Sequence, residues 1–273
     1  MNPTNQIDTS YRLDPSAVRK FREDGFIRLP NVLSGDSLTR IEPEITRMVD
    51  EGNRLKEIPL GARTLYDQAF IQVMNLWTRS ERMRVFAFGK RLARTATELM
   101  GTRGVRIWHD QALYKEPSGN LTPWHVDQQY WPMSNANSVT AWIPLQDVPI
   151  EMGPLCFGRG SHQKRIGRDL EIGEESERQI GDAVRKEKID EVQEPYAKGD
   201  VSFHLGWTLH RAGPNSTQRL RRVFTIIYMD IDMKLAAPQN KNQRADWEAW
   251  TPSTQLGEVM DDRLNPVLYE HQE

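Results

Sequence analysis

Apolar and polar positions change their rhythm near residue 105. Before that point the spacing is helical. Asp14-Pro15-Ser16 reads as an N-cap with proline in the first turn, and Val18, Phe21 and Phe26 begin the buried side. Residues 34–50 repeat the pattern, with Leu38, Ile41, Ile45 and Met48 at helical spacing. A third helix is predicted over residues 83–100, carrying Val85, Phe86, Leu92 and Leu99. From residue 105 onward short β-rich runs take over, at 105–114, 124–127, 139–145, 200–204 and 223–229. Turn signals separate them at Pro117-Ser118-Gly119-Asn120, Gly153-Pro154, Gly199-Asp200 and Gly213-Pro214-Asn215.

Helices first and many short strands afterwards predict an α+β fold with a mainly β core. The expected architecture is a double-sheet jelly roll backed by the N-terminal helices. At 273 residues the whole chain, 1–273, reads as one domain. Residues 164–194 interrupt the strands, with 17 charged side chains among 31 positions. A solvated helix with loops accounts for that density. The functional alternative is a mobile lid over a pocket at the barrel mouth.

Composition narrows the classes. Basic residues number 36 and acidic residues 38, so no basic field exists to gather nucleic acid or an anionic membrane. No apolar run approaches the roughly 18 residues of a membrane span. Cys156 is the single cysteine, which rules out an intramolecular disulfide and a Cys-rich zinc site. Neither the N-terminal stretch nor the C-terminal LYEHQE reads as a targeting or lipidation signal, and a cytoplasmic place is expected.

Candidate chemistry begins at Thr122-Pro123-Trp124-His125-Val126-Asp127. In a strand, residues i and i+2 share a face, so the His125 imidazole and Asp127 carboxylate project side by side while Val126 points away. Two such groups suit one metal ion, and a third ligand is open between His204 and His210. Two histidines and one carboxylate leave coordination positions free, as in Fe(II) oxygenases, although zinc accepts the same donors. Arg221, at the start of the last strand, favours iron. A 2-oxoglutarate molecule chelating the metal needs a permanent cation for its distal carboxylate, and arginine presents a planar fork. Arg219 shares that face nearer the turn, and Arg222 points the other way.

These pieces together resemble the phytanoyl-CoA dioxygenase family, a branch of the double-stranded β-helix, cupin-like 2-oxoglutarate oxygenases. The likeness runs from Phe21-Arg22-Glu23-Asp24-Gly25-Phe26 to the last strand. It includes Thr140-Ala141-Trp142-Ile143-Pro144-Leu145, Gly153-Pro154-Leu155, Gly160-Ser161-His162, Gly199-Asp200 and the stretch from His210 to Arg221. The resemblance implies iron held by His125, Asp127 and His210, with Arg221 on the co-substrate. It also implies Gln111 as a hydrogen-bond partner of 2-oxoglutarate and Trp142 as a ring beside it. The implied activity is oxidation of a small molecule, a specialised metabolite, using Fe(II), 2-oxoglutarate and O2 and releasing succinate and CO2. Hydroxylation is the expected outcome. Epimerisation, cyclisation or desaturation at the same centre, or a silent small-molecule binder, are the alternatives. The chain departs from the family at Ala212, where a small hydroxyl residue is usual, and at Arg159, where proline is usual. His162 reads as structural, His204 as packing behind the site, and His109 as a satisfied barrel histidine. Met152, Trp131, Trp207 and Tyr130 are candidate pocket walls.

Overall fold

In the computed structural model, which describes residues 6–271, Asp14 and Ser34 start the first two helices as side-chain caps. The Asp14 carboxylate accepts the Ser16 N–H at 2.7 Å and opens α1 (Pro15–Asp24). The Ser34 hydroxyl accepts the Ser37 N–H at 3.1 Å and opens α2 (Gly35–Gly52). Gly25 ends α1 in the left-handed region at φ 85°, where a Cβ would meet His162 Nδ1 at 2.3 Å. The chain turns at once into β1 (Phe26–Leu29), a strand that the helical reading of Phe26 misses. After the short α3 (Leu65–Ala69) and the strand β2 (Ile71–Met74), the helix expected over 83–100 is two: α4 (Glu81–Ala87) and α5 (Lys90–Met100). The break falls at Gly89, where a side chain would lie 3.0 Å from the Ile7 carbonyl oxygen. Val85, expected on the buried face, is 46% exposed because α4 turns Met83, Phe86 and Ala87 inward instead.

Two antiparallel sheets follow. The larger runs β1, β8 (Val201–Leu205), β5 (Ser138–Pro144), β10 (Arg221–Asp230) and β3 (Gly104–Lys115), with β2 and β11 (Val267–Glu270) both on the outer edge of β3. The smaller runs β4 (Thr122–His125), β9 (His210–Ala212), β6 (Leu155–Gly158) and β7 (Glu191–Gln193). Alternation along the long strands sends Tyr114, Ile143, Phe203 and Phe224 outward against Phe21, Leu38, Ile45 and Leu92 of the helices. The opposite positions, with Phe26, Trp142 and Val223, meet Leu155 and Phe157 of the smaller sheet. This is the double-sheet jelly roll expected from the element order.

Residues 164–194 are more built than a charge count suggests. The helix α6 (Glu174–Lys186) lays Ile180 and Val184 on Trp124, Val126 and Leu209 of the smaller sheet, and β7 joins that sheet as its edge. Charged residues occupy the outward face, except Glu177, which turns toward the sheet and accepts the Trp124 N–H at 2.8 Å. A further helix, α7 (Lys241–Trp250), follows the last long strand and docks on the turn Asp127–Tyr130. Asn240 and Gln243 there donate side-chain amides to the Gln129 carbonyl at 3.2 and 3.1 Å. Among the described residues no helix is long and apolar enough to cross a membrane. The terminal-signal readings fall partly on residues 1–5 and 272–273, which lie outside the described residues.

Candidate metal and co-substrate site

The register of the smaller sheet pairs His125 with His210 directly, and it is this pairing that assembles the candidate centre. The two rings lie 4.1 Å apart between centroids. Val126 is still extended, so Asp127 returns to the same face although it opens a 3-10 turn and not a strand residue as expected. Val126 and Trp124 point outward beneath α6. The Asp127 Oδ1 oxygen stands 3.6 Å from Nε2 of both histidines, and one ligand atom from each of the three residues lies within 4.8 Å of the others.

Each ligand is held by a partner on its far side. His125 Nδ1 lies 2.7 Å from the Pro123 carbonyl and His210 Nδ1 lies 3.0 Å from the Thr208 carbonyl. A carbonyl only accepts, so both Nδ1 atoms carry the proton and both Nε2 lone pairs face Asp127. Asp127 Oδ2 accepts from the Thr140 hydroxyl at 2.9 Å and from His204 Nε2 at 3.1 Å, leaving Oδ1 free for the centre. That bond settles the part played by His204. Its Nε2 is committed as a donor, and it stands on β8 in the opposite sheet. Burial, the largest influence, pushes the His125 imidazole down to about 3 and His210 to about 4, so both are neutral at physiological pH. Burial raises the Asp127 carboxyl, but the surrounding imidazoles outweigh it and hold the group well below the usual range. Two neutral nitrogens and one anionic oxygen are the donor set of a divalent metal.

Deeper in the sandwich lies Arg221, only 2% exposed. Its Nη1 donates to the Gly153 carbonyl, its Nε has no hydrogen-bond partner, and it forms no ion pair among the described residues. Burial alone lowers it to about 10. A buried guanidinium left this way lacks an anion. Arg219 is exposed and Arg222 pairs with Glu42 on the outer face, so of the three arginines Arg221 alone faces the cavity. Trp142 lies beneath the Arg221 guanidinium, 5.7 Å from carbon to ring centroid. Gln111 also lines the cavity. Its Oε1 accepts from Gln72 Nε2 at 2.6 Å, and Gln72 Oε1 accepts from the Tyr66 hydroxyl at 2.8 Å, so the Gln111 amide donor is left for the cavity.

Sequence reasoning missed Thr122 and Lys115. Lys115 is fully buried and donates to the carbonyls of Asn120 (2.6 Å) and Gly213 (2.8 Å) and to the Thr122 hydroxyl oxygen (3.2 Å). As an ammonium Lys115 accepts nothing and leaves the Thr122 hydroxyl proton free for the cavity that Thr122 lines, whereas burial and the neighbouring Arg221 hold the lysine well below its ordinary pKa. Thr122 is the register partner of Ala212. The hydroxyl absent from Ala212 is therefore supplied from the strand opposite. A signal existed in the sequence, since Lys115 sits at the end of an apolar strand, yet only pairing reveals the partner.

The cavity measures about 450 Å³. Tyr130 and Trp131 line it as expected, whereas Met152 is buried in the core and Trp207 packs outside under Arg168. His109 corrects the reading of a satisfied histidine: it faces the cavity, its Nδ1 has no partner, and burial pushes it down to about 3. A β-bulge at Trp108, skipped between the pairs Ile227↔His109 and Tyr228↔Ile107, aims it there. His162 is structural, with Nε2 3.1 Å from the Arg22 carbonyl.

Similar proteins agree with this architecture. The chain is 28% identical over 137 residues to a probable alpha-ketoglutarate-dependent hypophosphite dioxygenase of Stutzerimonas stutzeri, covering 47% of this chain and 46% of that relative. It therefore spans about half of that relative's length. In structure it is similar to the non-heme alpha ketoglutarate dependent carbocyclase SnoK from nogalamycin biosynthesis, with TM-score 0.77, 25% identity and coverage of 94% and 97%. The epimerase SnoN, in complex with Fe3+, alpha ketoglutarate and nogalamycin RO, superposes with TM-score 0.77 at 25% identity, covering 94% and 100%. The family model for phytanoyl-CoA dioxygenase matches residues 21–223, most of the chain. With its sheets, helices and cavity arranged as they are, this chain belongs to the phytanoyl-CoA dioxygenase family.

Proposed function

We propose that this protein is an Fe(II)- and 2-oxoglutarate-dependent oxygenase acting on a small molecule, with iron held by His125, Asp127 and His210. The observation that carries the reading is the buried Arg221, unpaired and in the same cavity as the three ligands. The donor set fits a divalent metal, and the orphaned guanidinium fits the distal carboxylate of the co-substrate. When bound, iron with 2-oxoglutarate and O2 supplies oxidation of a substrate C–H bond, with succinate and CO2 as co-products.

The chain's own residues bind and orient. Arg221 and the Thr122 hydroxyl would hold the distal carboxylate of the co-substrate, and the Gln111 amide would donate to it from the cavity wall. Trp142 forms a flat wall beside the carbon chain. Thr140 and His204 fix the Asp127 carboxylate so that one oxygen faces the metal. His125 and His210 keep their protons on the far nitrogen, which holds each lone pair inward. Tyr130, Trp131 and Phe70 exclude water from the cavity above.

Hydroxylation is the primary outcome. Ring closure or epimerisation is the second reading, favoured by the likeness over nearly the full chain to a carbocyclase and an epimerase. A silent binding protein has no need of two neutral imidazoles and a carboxylate converging beside a buried cation. Within the charged segment residues 165–173 are the part suited to a lid, since Glu171 and Ile172 reach the cavity. A cytoplasmic place and action on no nucleic acid belong to the same reading. Reconstitution with Fe(II) and 2-oxoglutarate tests it through succinate. Succinate formation that does not need iron, or 2-oxoglutarate binding unchanged in Arg221→Ala, ends it.

A further inference from the structure

The upper cavity holds one carboxylate that nothing described so far uses. Asp246 projects from α7, which is fastened through Asn240 and Gln243 to the same turn that carries Asp127. It lines the cavity and forms no ion pair among the described residues. The donor beside it is the Trp250 indole, one turn along the helix, which draws its carboxyl down without closing a hydrogen bond of ordinary geometry. Glu171, the other acid at the mouth, is already paired with Lys241 at 3.0 Å. The same cavity is lined by Tyr66, Phe70, Tyr130 and Trp131, with Tyr130 close enough to Asp246 to feel its charge, while the His109 ring stands 5.5 Å from Trp250 with its Nδ1 unpartnered.

Charge decides what belongs there. In the loaded enzyme the two charges of iron and that of Arg221 balance Asp127 and the dianionic co-substrate, so the cavity floor is neutral. The lining holds no lysine and no arginine other than Arg221. Asp246 is the unbalanced charge. Half-buried and without an ion-pair partner it is costly, and desolvation pushes its carboxyl up to about 7. A ligand that brings one positive charge removes that cost; a neutral or anionic ligand does not.

Resting on the oxygenase reading, we propose that Asp246 selects a substrate bearing a single protonated nitrogen beside an apolar body. The ammonium group pairs with Asp246, and aromatic side chains face its apolar part and the charge. Asp246 is a specificity residue. It sets which C–H bond is presented to the metal by fixing one end of the molecule.

The test uses 2-phenylethylammonium and its neutral counterpart 2-phenylethanol as probes, titrated calorimetrically at pH 8 into the anaerobic enzyme loaded with Fe(II) and 2-oxoglutarate. The ammonium probe should bind at least about tenfold more tightly, the worth of one charged hydrogen bond. Asp246→Asn should bring the two probes to equal affinity without weakening the alcohol, and Asp246→Glu should keep part of the preference. Glu171→Gln should leave it intact. Equal affinities in the unaltered protein, a preference that survives in Asp246→Asn, or no saturable ammonium binding would each overturn the proposal. Repeating the titration without metal and co-substrate separates the two readings. A preference that persists there while 2-oxoglutarate fails to bind would sink the oxygenase reading and spare Asp246.

Discussion

His125 on β4 and His210 on β9 face each other as a direct cross-strand pair, with ring centroids 4.1 Å apart and both Nε2 atoms 3.6 Å from one oxygen of Asp127. Cross-strand neighbours are held by the ladder itself, so the ligand spacing is as rigid as the sheet. His204 approaches from the other sheet, donates to the outer oxygen of Asp127 and lays its ring 4.4 Å from that of His210. The candidate metal centre thus takes its two histidines from one sheet and its carboxylate from the turn that follows β4, braced by the other sheet.

That division gives the first expectation. His210→Ala removes a ligand and should abolish tight Fe(II) binding in a metal titration. His204→Ala loosens only the brace on Asp127 and should weaken iron by roughly 10–100-fold. Loss of all iron affinity in His204→Ala, with His210→Ala still binding, would exchange their roles.

Removing the guanidinium of Arg221 leaves the distal carboxylate of 2-oxoglutarate buried alone. Breaking a buried pair from one side costs about 3–5 kcal/mol, or roughly two to four powers of ten in affinity. Arg221→Lys should recover only part, because an ammonium lacks the fork. The dissociation constant of 2-oxoglutarate in the metal-loaded protein reads both.

Thr122→Val keeps the shape of the side chain and deletes the hydroxyl proton that Lys115 leaves free. Affinity for 2-oxoglutarate should fall by about tenfold, the size of a hydrogen bond to a charged group. Fe(II) affinity without the co-substrate should not move. A fall in both would mean that Thr122 serves the fold near His125 and not the carboxylate.

Part of the acid sensitivity comes from His109, beside that of His125 and His210, which burial lowers in the same direction. Burial pushes His109 from an ordinary value near 6.5 to about 3, so below about pH 6.5 the unfolded chain binds a proton that the folded one refuses. Stability carried by the neutral ring is present above that pH and is lost as the pH falls toward 3. The drop in denaturation midpoint between about pH 7.5 and 5 should therefore be smaller in His109→Gln than in the unaltered protein. An equal drop would place the sensitivity elsewhere.

Limited proteolysis reports on the mouth of the cavity. The Tyr130 hydroxyl accepts the Ile172 N–H at 2.7 Å, and Ile172 lines the cavity, whereas α6 is anchored by Ile180 and Val184. Cleavage within residues 165–173 should be fast in the free enzyme and slow with Fe(II), 2-oxoglutarate and a bound probe, while α6 stays intact. Cleavage at equal rates in both states would leave the segment a fixed surface loop.

Local chemistry was legible along the chain. The caps at Asp14 and Ser34, the alternation of the long strands and the His-x-Asp spacing depend on residues a few positions apart, and they read correctly without a fold. Arg221 stands out by its place at the start of the last long strand, but no hairpin joins it to His210: β9 lies in the smaller sheet and β10 in the larger, between β5 and β3. What the tertiary structure decided are contacts across sheets and between distant helices. The choice of His210 over His204 was open in spacing alone, since both lie in one stretch; strand pairing puts them in different sheets. Lys115 and Thr122 meet through a turn, and their free proton follows from counting donors across three segments. The cavity position of Asp246 depends on where a helix beyond the last long strand docks, which its own sequence does not encode. Periodicity along the chain records which side of an element is buried; which other element covers that side is settled only when the layers pack together.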